Sequence, residues 1–165
     1  MKKLHLFIAL IVMATFGFCS YVLAAKAKTS LTTVSGASLW DHMKKSNYRN
    51  WQMWPGKTAL YPGTQPHGAL LTTYVNDVAY KAIKAKKGKL PNGSIVVKEN
   101  YMPDKSLGAL TVMYKVKGFN SEANDWFWAK YMPDGKIEAE GKVEMCIGCH
   151  GMKKDNDYVL TAPLK

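Results

Sequence analysis

Apolar and polar residues alternate with a period of two along much of the second half of the chain. The alternation is clearest over residues 110–117, where Leu, Val, Tyr and Val are separated by Thr, Met and Lys. This is the pattern of a strand with one face buried. Runs rich in β-branched and aromatic residues predict further strands over residues 70–75, 94–102, 126–132 and 136–140. Pro-Asn-Gly precedes the second of these, and Pro-Asp-Gly separates the last two.

Two other stretches have the apolar spacing of helices. Leu39 and Met43 predict a short helix from Ser38 to Asn47, with Ser38 as its N-cap. Between this helix and the first strand, residues 50–68 contain three prolines and three glycines. We expect a long ordered loop there, because its aromatic residues need a surface to pack on.

The second helix is predicted from Asp77 to about Lys87, with Asn76 or Asp77 as its cap and Gly88 ending it. Strands of alternating pattern joined by short turns favour an antiparallel sheet. The sequence therefore predicts an α+β fold, a mostly antiparallel β-sheet with two or three short helices.

The N-terminus has the pattern of a secretion signal. Lys2 and Lys3 precede an apolar stretch, and small residues around Ala24 form a cleavage site. An uncleaved membrane anchor is the alternative, since the stretch is near the lower limit for spanning a bilayer. We divide the chain into a signal peptide (1–24), a flexible lead-in (25–37) and a single domain (38–165). We expect the protein in the periplasm, with no stable membrane anchor once the signal is cleaved.

The main chemical motif is Cys146-Ile147-Gly148-Cys149-His150, a C-x-x-C-H sequence. This spacing is that of c-type haem attachment, in which two thiols bind the porphyrin edge and the histidine lies beneath the iron. A zinc half-site would need further ligands, and a dithiol oxidoreductase normally places its cysteines in a βαβ unit. We therefore predict one covalent haem c held by Cys146 and Cys149, with His150 as the iron ligand.

The late position of the motif affects the second axial ligand. Met152 is the only methionine after it and is too close to His150 to reach the other haem face. A sixth ligand must come from upstream, from His42, His67 or one of several methionines and lysines. With none, the iron is five-coordinate and open to small molecules such as nitric oxide or hydroxylamine.

The charge of the chain changes this picture little. There are 23 Lys and Arg residues against 12 Asp and Glu, a net charge of +11, and Arg49 is the only arginine. Nucleic-acid surfaces rely on the forked contacts of arginine, so we expect no nucleic-acid partner. An acidic redox partner protein fits a lysine-rich surface better.

Several segments together resemble one known family. They are Tyr74-Val75-Asn76, the run NGSIVVKE over residues 92–99, Asp125-Trp126 before an aromatic strand, and the C-x-x-C-H motif near the C-terminus. This arrangement resembles the cytochrome P460 family, which includes the β-sheet form of cytochrome c-prime. The resemblance covers about residues 38–160.

The resemblance implies a β-sheet homodimer with five-coordinate haem. The P460 members proper join a lysine covalently to the porphyrin and oxidise hydroxylamine, whereas the c-prime β members have an apolar distal pocket and bind nitric oxide. The cross-linking lysine of the first group lies near the end of the helix before the Asn-Gly-Ser turn. Lys86 is our candidate here, within a lysine cluster that could equally be a solvated helix end.

The resemblance also implies a distal carboxylate in the active members. None occurs in residues 126–131, which weakens the case for hydroxylamine turnover. The aromatic residues that could wall the haem, or simply form core, are Tyr114, Trp126, Phe127 and Trp128. We therefore expect binding of nitric oxide or a related nitrogen species, with hydroxylamine oxidation and electron transfer as alternatives.

Overall fold

The computed structural model describes residues 34–165. In this range the chain forms one antiparallel sheet of seven strands and three α-helices. The strands are β1 (Gln52–Met53), β2 (Tyr61–Pro62), β3 (Leu70–Val75), β4 (Ile95–Tyr101), β5 (Leu107–Lys115), β6 (Trp126–Tyr131) and β7 (Ile137–Gly141). Their order is β1-β3-β4-β5-β6-β7, with β2 also paired to β3. The predicted α+β fold is confirmed.

The helices are α1 (Gly36–Lys45), α2 (Asp77–Lys84) and α3 (Glu144–His150). Short 3₁₀ turns cover Tyr48–Asn50, Ser121–Ala123 and Gly151–Asn156. None of the helices within residues 34–165 is long and apolar enough to span a bilayer. The predicted signal peptide and most of the lead-in lie outside the described residues.

The start of α1 differs from the prediction. Ser35, not Ser38, is the N-cap, and the two serines form a reciprocal capping box. Gly36 is buried, and its carbonyl accepts a hydrogen bond of 2.9 Å from the Tyr131 hydroxyl. Ser35 and Gly36 thus belong to the folded domain, whereas the sequence pattern predicts them in the flexible lead-in.

The end of α2 also differs from the prediction. The helix ends at Lys84, and Lys86 has a φ of 49°. A left-handed residue cannot continue an α-helix, so the chain turns away before Lys87.

The predicted loop over residues 50–68 contains two short strands. Residues 52–53 and 61–62 form β1 and β2, and both pair with β3.

Each face of the sheet covers its own apolar core, because side chains alternate along every strand. Helix α1 covers one face, where Leu39 and Met43 pack with residues such as Val97 and Phe127. On the other face, α2, α3 and the C-terminal segment pack around residues such as Trp54 and Trp128. The C-x-x-C-H motif lies on this second face.

Candidate haem site

The motif forms helix α3, which follows β7 directly in the chain. Because residues three and four apart share one side of a helix, Cys146, Cys149 and His150 project from the same side. Both cysteines are free thiols of intermediate exposure, and burial raises the pKa of Cys146. His150 is 7% exposed. Helix α3 thus presents two thiols and a buried imidazole together.

The orientation of His150 is set by a hydrogen bond. Its Nδ1 lies 2.8 Å from the carbonyl oxygen of Tyr158, which can only accept, so the proton is on Nδ1. Its Nε2 therefore carries a lone pair, the form in which histidine binds metals. Burial lowers the pKa of His150, which favours this neutral ring. The ring also packs edge-on against Trp128, with centroids 4.7 Å apart.

The carbonyl of Tyr158 is itself held by a buried polar network. Asp157 is 0% exposed and pairs with the ammonium of Lys115. Its carboxylate also accepts from the backbone N–H of Leu90 at 2.8 Å, and its carbonyl accepts from Trp126 Nε1 at 2.8 Å. Asp157 and Tyr158 both have positive φ values, 57° and 63°. Hydrogen-bonding groups behind a metal-binding histidine, such as the Tyr158 carbonyl and the residues that hold it, fix the orientation of the ring.

A cavity extends from His150 across this face of the sheet. Its walls are mostly apolar and include Trp54, Val96, Met113 and Val159. The polar side chains at its edge include His67 and Lys98. Cys146 also lines it.

His67 belongs to the loop that precedes β3. Its Nδ1 lies 2.9 Å from Asn100 Oδ1, and its ring centroid lies 6.3 Å from that of His150. Burial and the nearby Lys98 lower the pKa of His67 to about 4, although the bond to Asn100 opposes this. Gly68, which follows His67, must be small, because a Cβ at this position would lie 2.5 Å from the backbone of Tyr101. The loop is thereby pressed against β4.

Two hydrogen-bond donors in the cavity have no acceptor among the described residues. Lys98 makes no ion pair there, and burial together with repulsion from Lys57 lowers its pKa to about 8. Trp128 Nε1 is buried and has no hydrogen-bond partner. Buried donors normally find partners, so Trp128 Nε1, together with the half-buried ammonium of Lys98, indicates an acidic or hydrogen-bond-accepting ligand.

The residues of this site fit a c-type haem. Two thiols are available for thioether bonds, His150 offers a free Nε2 to iron, and the walls suit the apolar porphyrin. Lys98 and Trp128 can serve the carboxylates that a haem carries. The model of the family described as cytochrome P460 matches residues 45–161, most of the chain. The chain belongs to the cytochrome P460 family.

Membership of the cytochrome P460 family implies a c-type haem with iron. No curated protein matches the chain. The haem would be held by Cys146, Cys149 and His150. When bound, it supplies an iron centre that takes small ligands or electrons. The protein's part is to orient the imidazole, exclude water and place donors around the cavity.

The other predicted candidates are divided between this site and the rest of the molecule. Trp128 and His67 line the cavity, whereas Lys86 is exposed and is not among the lining residues. His42 is on α1 and its ring is near Trp51. The remaining aromatic and methionine candidates lie elsewhere: Tyr114 and Phe127 in the core under α1, Trp126 in the apolar core beside Asp157, and Met152 at the surface.

Sequence reasoning missed three residues that shape the site, namely Lys98, Asn100 and Asp157. The alternating pattern of β4 does contain a signal for Lys98 and Asn100. In a strand of period two they share a face with the buried Val96, so their polar groups interrupt an apolar face. No pattern marks Asp157, because its partners Lys115 and Leu90 are distant in the sequence.

Proposed function

We propose that this member of the cytochrome P460 family is an exported mono-haem c-type cytochrome. It binds nitric oxide or a related small nitrogen species at the iron position opposite His150. The observation that carries the proposal is the free Nε2 of the buried His150, held beside two thiols at an apolar cavity. The haem is attached covalently, once per chain.

The walls of the cavity support a neutral, small ligand. Apolar side chains such as Trp54 and Val96 offer nitric oxide a site from which water is largely excluded. The polarity and hydrogen-bond donors of the distal wall decide between ligand binding and turnover at a haem. This wall contains few polar groups, which favours binding.

A second candidate function is hydroxylamine oxidation at a lysine-modified haem, and one observation favours it. Lys98 lines the cavity, and its pKa of about 8 leaves part of the amine neutral near pH 7. His67 lines the same cavity, but its pKa of about 4 makes it a weak proton acceptor near pH 7, so Lys98 carries this candidate function. We propose Lys98 in place of Lys86 as the residue to examine for a cross-link.

Spectra and mass distinguish the two functions. The ferrous protein, matured with haem, is titrated with nitric oxide, and a stoichiometric spectral change with no hydroxylamine consumption in the presence of an electron acceptor is expected. Sustained hydroxylamine consumption supports the second function. The intact mass is then measured, because a lysine cross-link removes hydrogens relative to a haem held by two thioethers only. A haem protein that binds no nitric oxide contradicts the first proposal.

We also propose a periplasmic location, a homodimer and an acidic redox partner protein. Support comes from the signal pattern in residues 1–24, the family resemblance and the net charge of +11. Cell fractionation and light scattering of the mature protein test the first two. Recovery in the cytoplasm or a monomer at high concentration would contradict them.

A further inference from the structure

The end of α2 and the turn after it form a strongly basic surface. Residues 78–98 contain no Asp or Glu, and exposed lysines are concentrated in residues 81–89. We call these residues the lysine face: Lys81, Lys84, Lys86, Lys87 and Lys89. None of the ion pairs among residues 34–165 includes any of them. Their positive charges are therefore available to a partner molecule.

The fold gathers these lysines on one surface. Helix α2 packs into the core through Ala82 and Ile83, so Lys81 and Lys84 lie on its exposed side. The chain then folds back on the helix, because the N–H of Lys87 donates to the carbonyl of Ala82 at 3.2 Å. The lysines after the helix thus stay close to those on it.

The lysine face lies on the side of the sheet that carries the haem cavity. Helix α2 packs into the core that borders this cavity. Directly after Lys89, the N–H of Leu90 donates to the Asp157 carboxylate at 2.8 Å. The carbonyl of the next residue, Tyr158, accepts from Nδ1 of His150. A short path of covalent and hydrogen bonds therefore joins the lysine face to the imidazole that would hold the iron.

We propose that the lysine face is the docking surface for an acidic redox protein that exchanges electrons with the haem. The inference rests on the proposed function, since it requires the haem held by His150. One electron crosses between the iron and the partner's redox centre, so one is oxidised as the other is reduced, and no bond or proton is exchanged.

The composition of the lysine face suits a transient protein contact. The ammonium of lysine is compact and strongly hydrated, and it makes no forked contacts that would fix a partner tightly. Redox complexes bury little surface, and complementary charge raises their rate of association more than their affinity. The same composition disfavours an anionic membrane, because membrane-surface helices combine basic residues with apolar side chains that enter the lipid. The exposed large apolar side chains among residues 34–165 lie outside the lysine face, at Met53, Met102, Ile137, Met145, Met152 and Leu160.

The surface around α3 is the alternative docking site, because α3 carries the haem attachment motif. Lys142, Lys153 and Lys154 are exposed there. The exposed carboxylates of Glu144 and Asp155 interrupt this surface, whereas no acidic residue interrupts residues 81–89. The lysine face therefore offers an acidic partner the more uniform positive charge.

Three variants that lose the same charge at different places test the proposal. Stopped-flow absorbance follows the oxidation of the ferrous, haem-loaded protein by cupric plastocyanin, an acidic copper protein that accepts one electron. The first variant changes the lysine face, the second changes the surface around α3, and the third changes exposed lysines elsewhere. The lysines replaced by glutamine are, in that order, Lys84, Lys87 and Lys89; Lys142, Lys153 and Lys154; and Lys45, Lys105 and Lys136.

We expect the lysine-face variant to lose the most. At low ionic strength its second-order rate constant should fall at least about tenfold, and those of the other two variants less than about threefold. At high ionic strength all three should match the wild type, because salt screens the attraction. An equal loss in all three variants, or the largest loss in the α3 variant, overturns the proposal.

Two further outcomes separate this inference from its alternatives. If the wild type but not the lysine-face variant binds phosphatidylserine vesicles, while both exchange electrons at the same rate, the face serves a membrane and the proposal is overturned. A haem protein that binds nitric oxide but exchanges no electrons with plastocyanin overturns this inference and leaves nitric oxide binding standing. A protein without haem overturns both.

Discussion

The polar groups on the two faces of β4 differ in whether the protein supplies their hydrogen-bond partners. On the α1 face, Glu99 is 0% exposed and accepts hydrogen bonds from Tyr48 at 2.7 Å, Arg49 at 2.7 Å and Tyr101 at 2.6 Å. On the cavity face, the neighbouring Lys98 has no partner among the described residues. Adjacent residues of one strand thus belong to a completed network and to an incomplete one.

This difference distinguishes polar groups that stabilise the fold from polar groups that are available to a ligand. A buried carboxylate whose acceptor sites are filled by the protein stabilises the fold and offers nothing to a ligand. A buried donor without an acceptor, such as Trp128 Nε1, reduces stability until a ligand satisfies it, and the half-buried ammonium of Lys98 beside it has no partner among the described residues. The cavity face is therefore built for a bound group, which the cytochrome P460 family supplies as haem.

The largest expected effect concerns the thiols of the cavity face. Replacing both Cys146 and Cys149 with serine removes both thioether bonds, so the purified protein should lack covalent haem completely. Intact mass spectrometry of the denatured protein measures this. Serine variants that retain the mass of a bound haem would show that the attachment lies elsewhere.

The network behind His150 should give the next largest effect. Asp157→Asn leaves the buried ammonium of Lys115 without its charge partner, so the free energy of unfolding should fall by about 3 kcal/mol. Urea denaturation of the haem-loaded protein measures the change. The matched control is Asp155→Asn, an exposed carboxylate two residues away, and equal stability of the two variants would contradict the network's role.

A smaller loss is expected on the α1 face. Glu99→Gln removes the charged acceptor of two tyrosine hydroxyls and Arg49, and should lower the free energy of unfolding by about 2 kcal/mol. The haem spectrum should not change, because this face does not line the cavity. The surface pair Lys130–Glu138 provides the control Glu138→Gln, which should cost less than about 1 kcal/mol. A spectral shift in Glu99→Gln would contradict the separation of the two faces.

The smallest effect tests the charge within the cavity. A positive charge near the iron favours the reduced state, so Lys98→Met should lower the reduction potential by an amount on the order of tens of millivolts. Spectroelectrochemical titration measures it, with the exposed Lys84→Met on α2 as the control. An unchanged or raised potential in Lys98→Met would place the ammonium away from the haem.

The sheet was predictable because its signal is local. Alternation over residues 110–117 predicts most of β5 without reference to the rest of the fold. Helix ends were less predictable. At the start of α1, Ser35 and Ser38 cap each other, so either serine satisfies the sequence pattern. At the end of α2, Lys86 has a left-handed backbone conformation, which a lysine in the sequence does not predict.

The site was predictable only where one short motif carries it. Cys146, Cys149 and His150 are adjacent in the sequence and together on α3. His67 and Asn100 meet from a loop and a strand 33 residues apart, and that pairing depends on the register of β3 against β4. The sequence offers His67 as one upstream candidate among several, and only the folded chain brings it to 6.3 Å from His150.

The covalent haem beside His150 is the central claim, and the spectrum of the mature protein in alkaline pyridine tests it most directly. Pyridine replaces the protein ligands, so the absorption band of the reduced complex reports only how many porphyrin vinyl groups have become thioethers. We predict the band of a haem with two thioethers, one haem per chain. A colourless protein, or the band of a haem with both vinyl groups intact, would contradict the account.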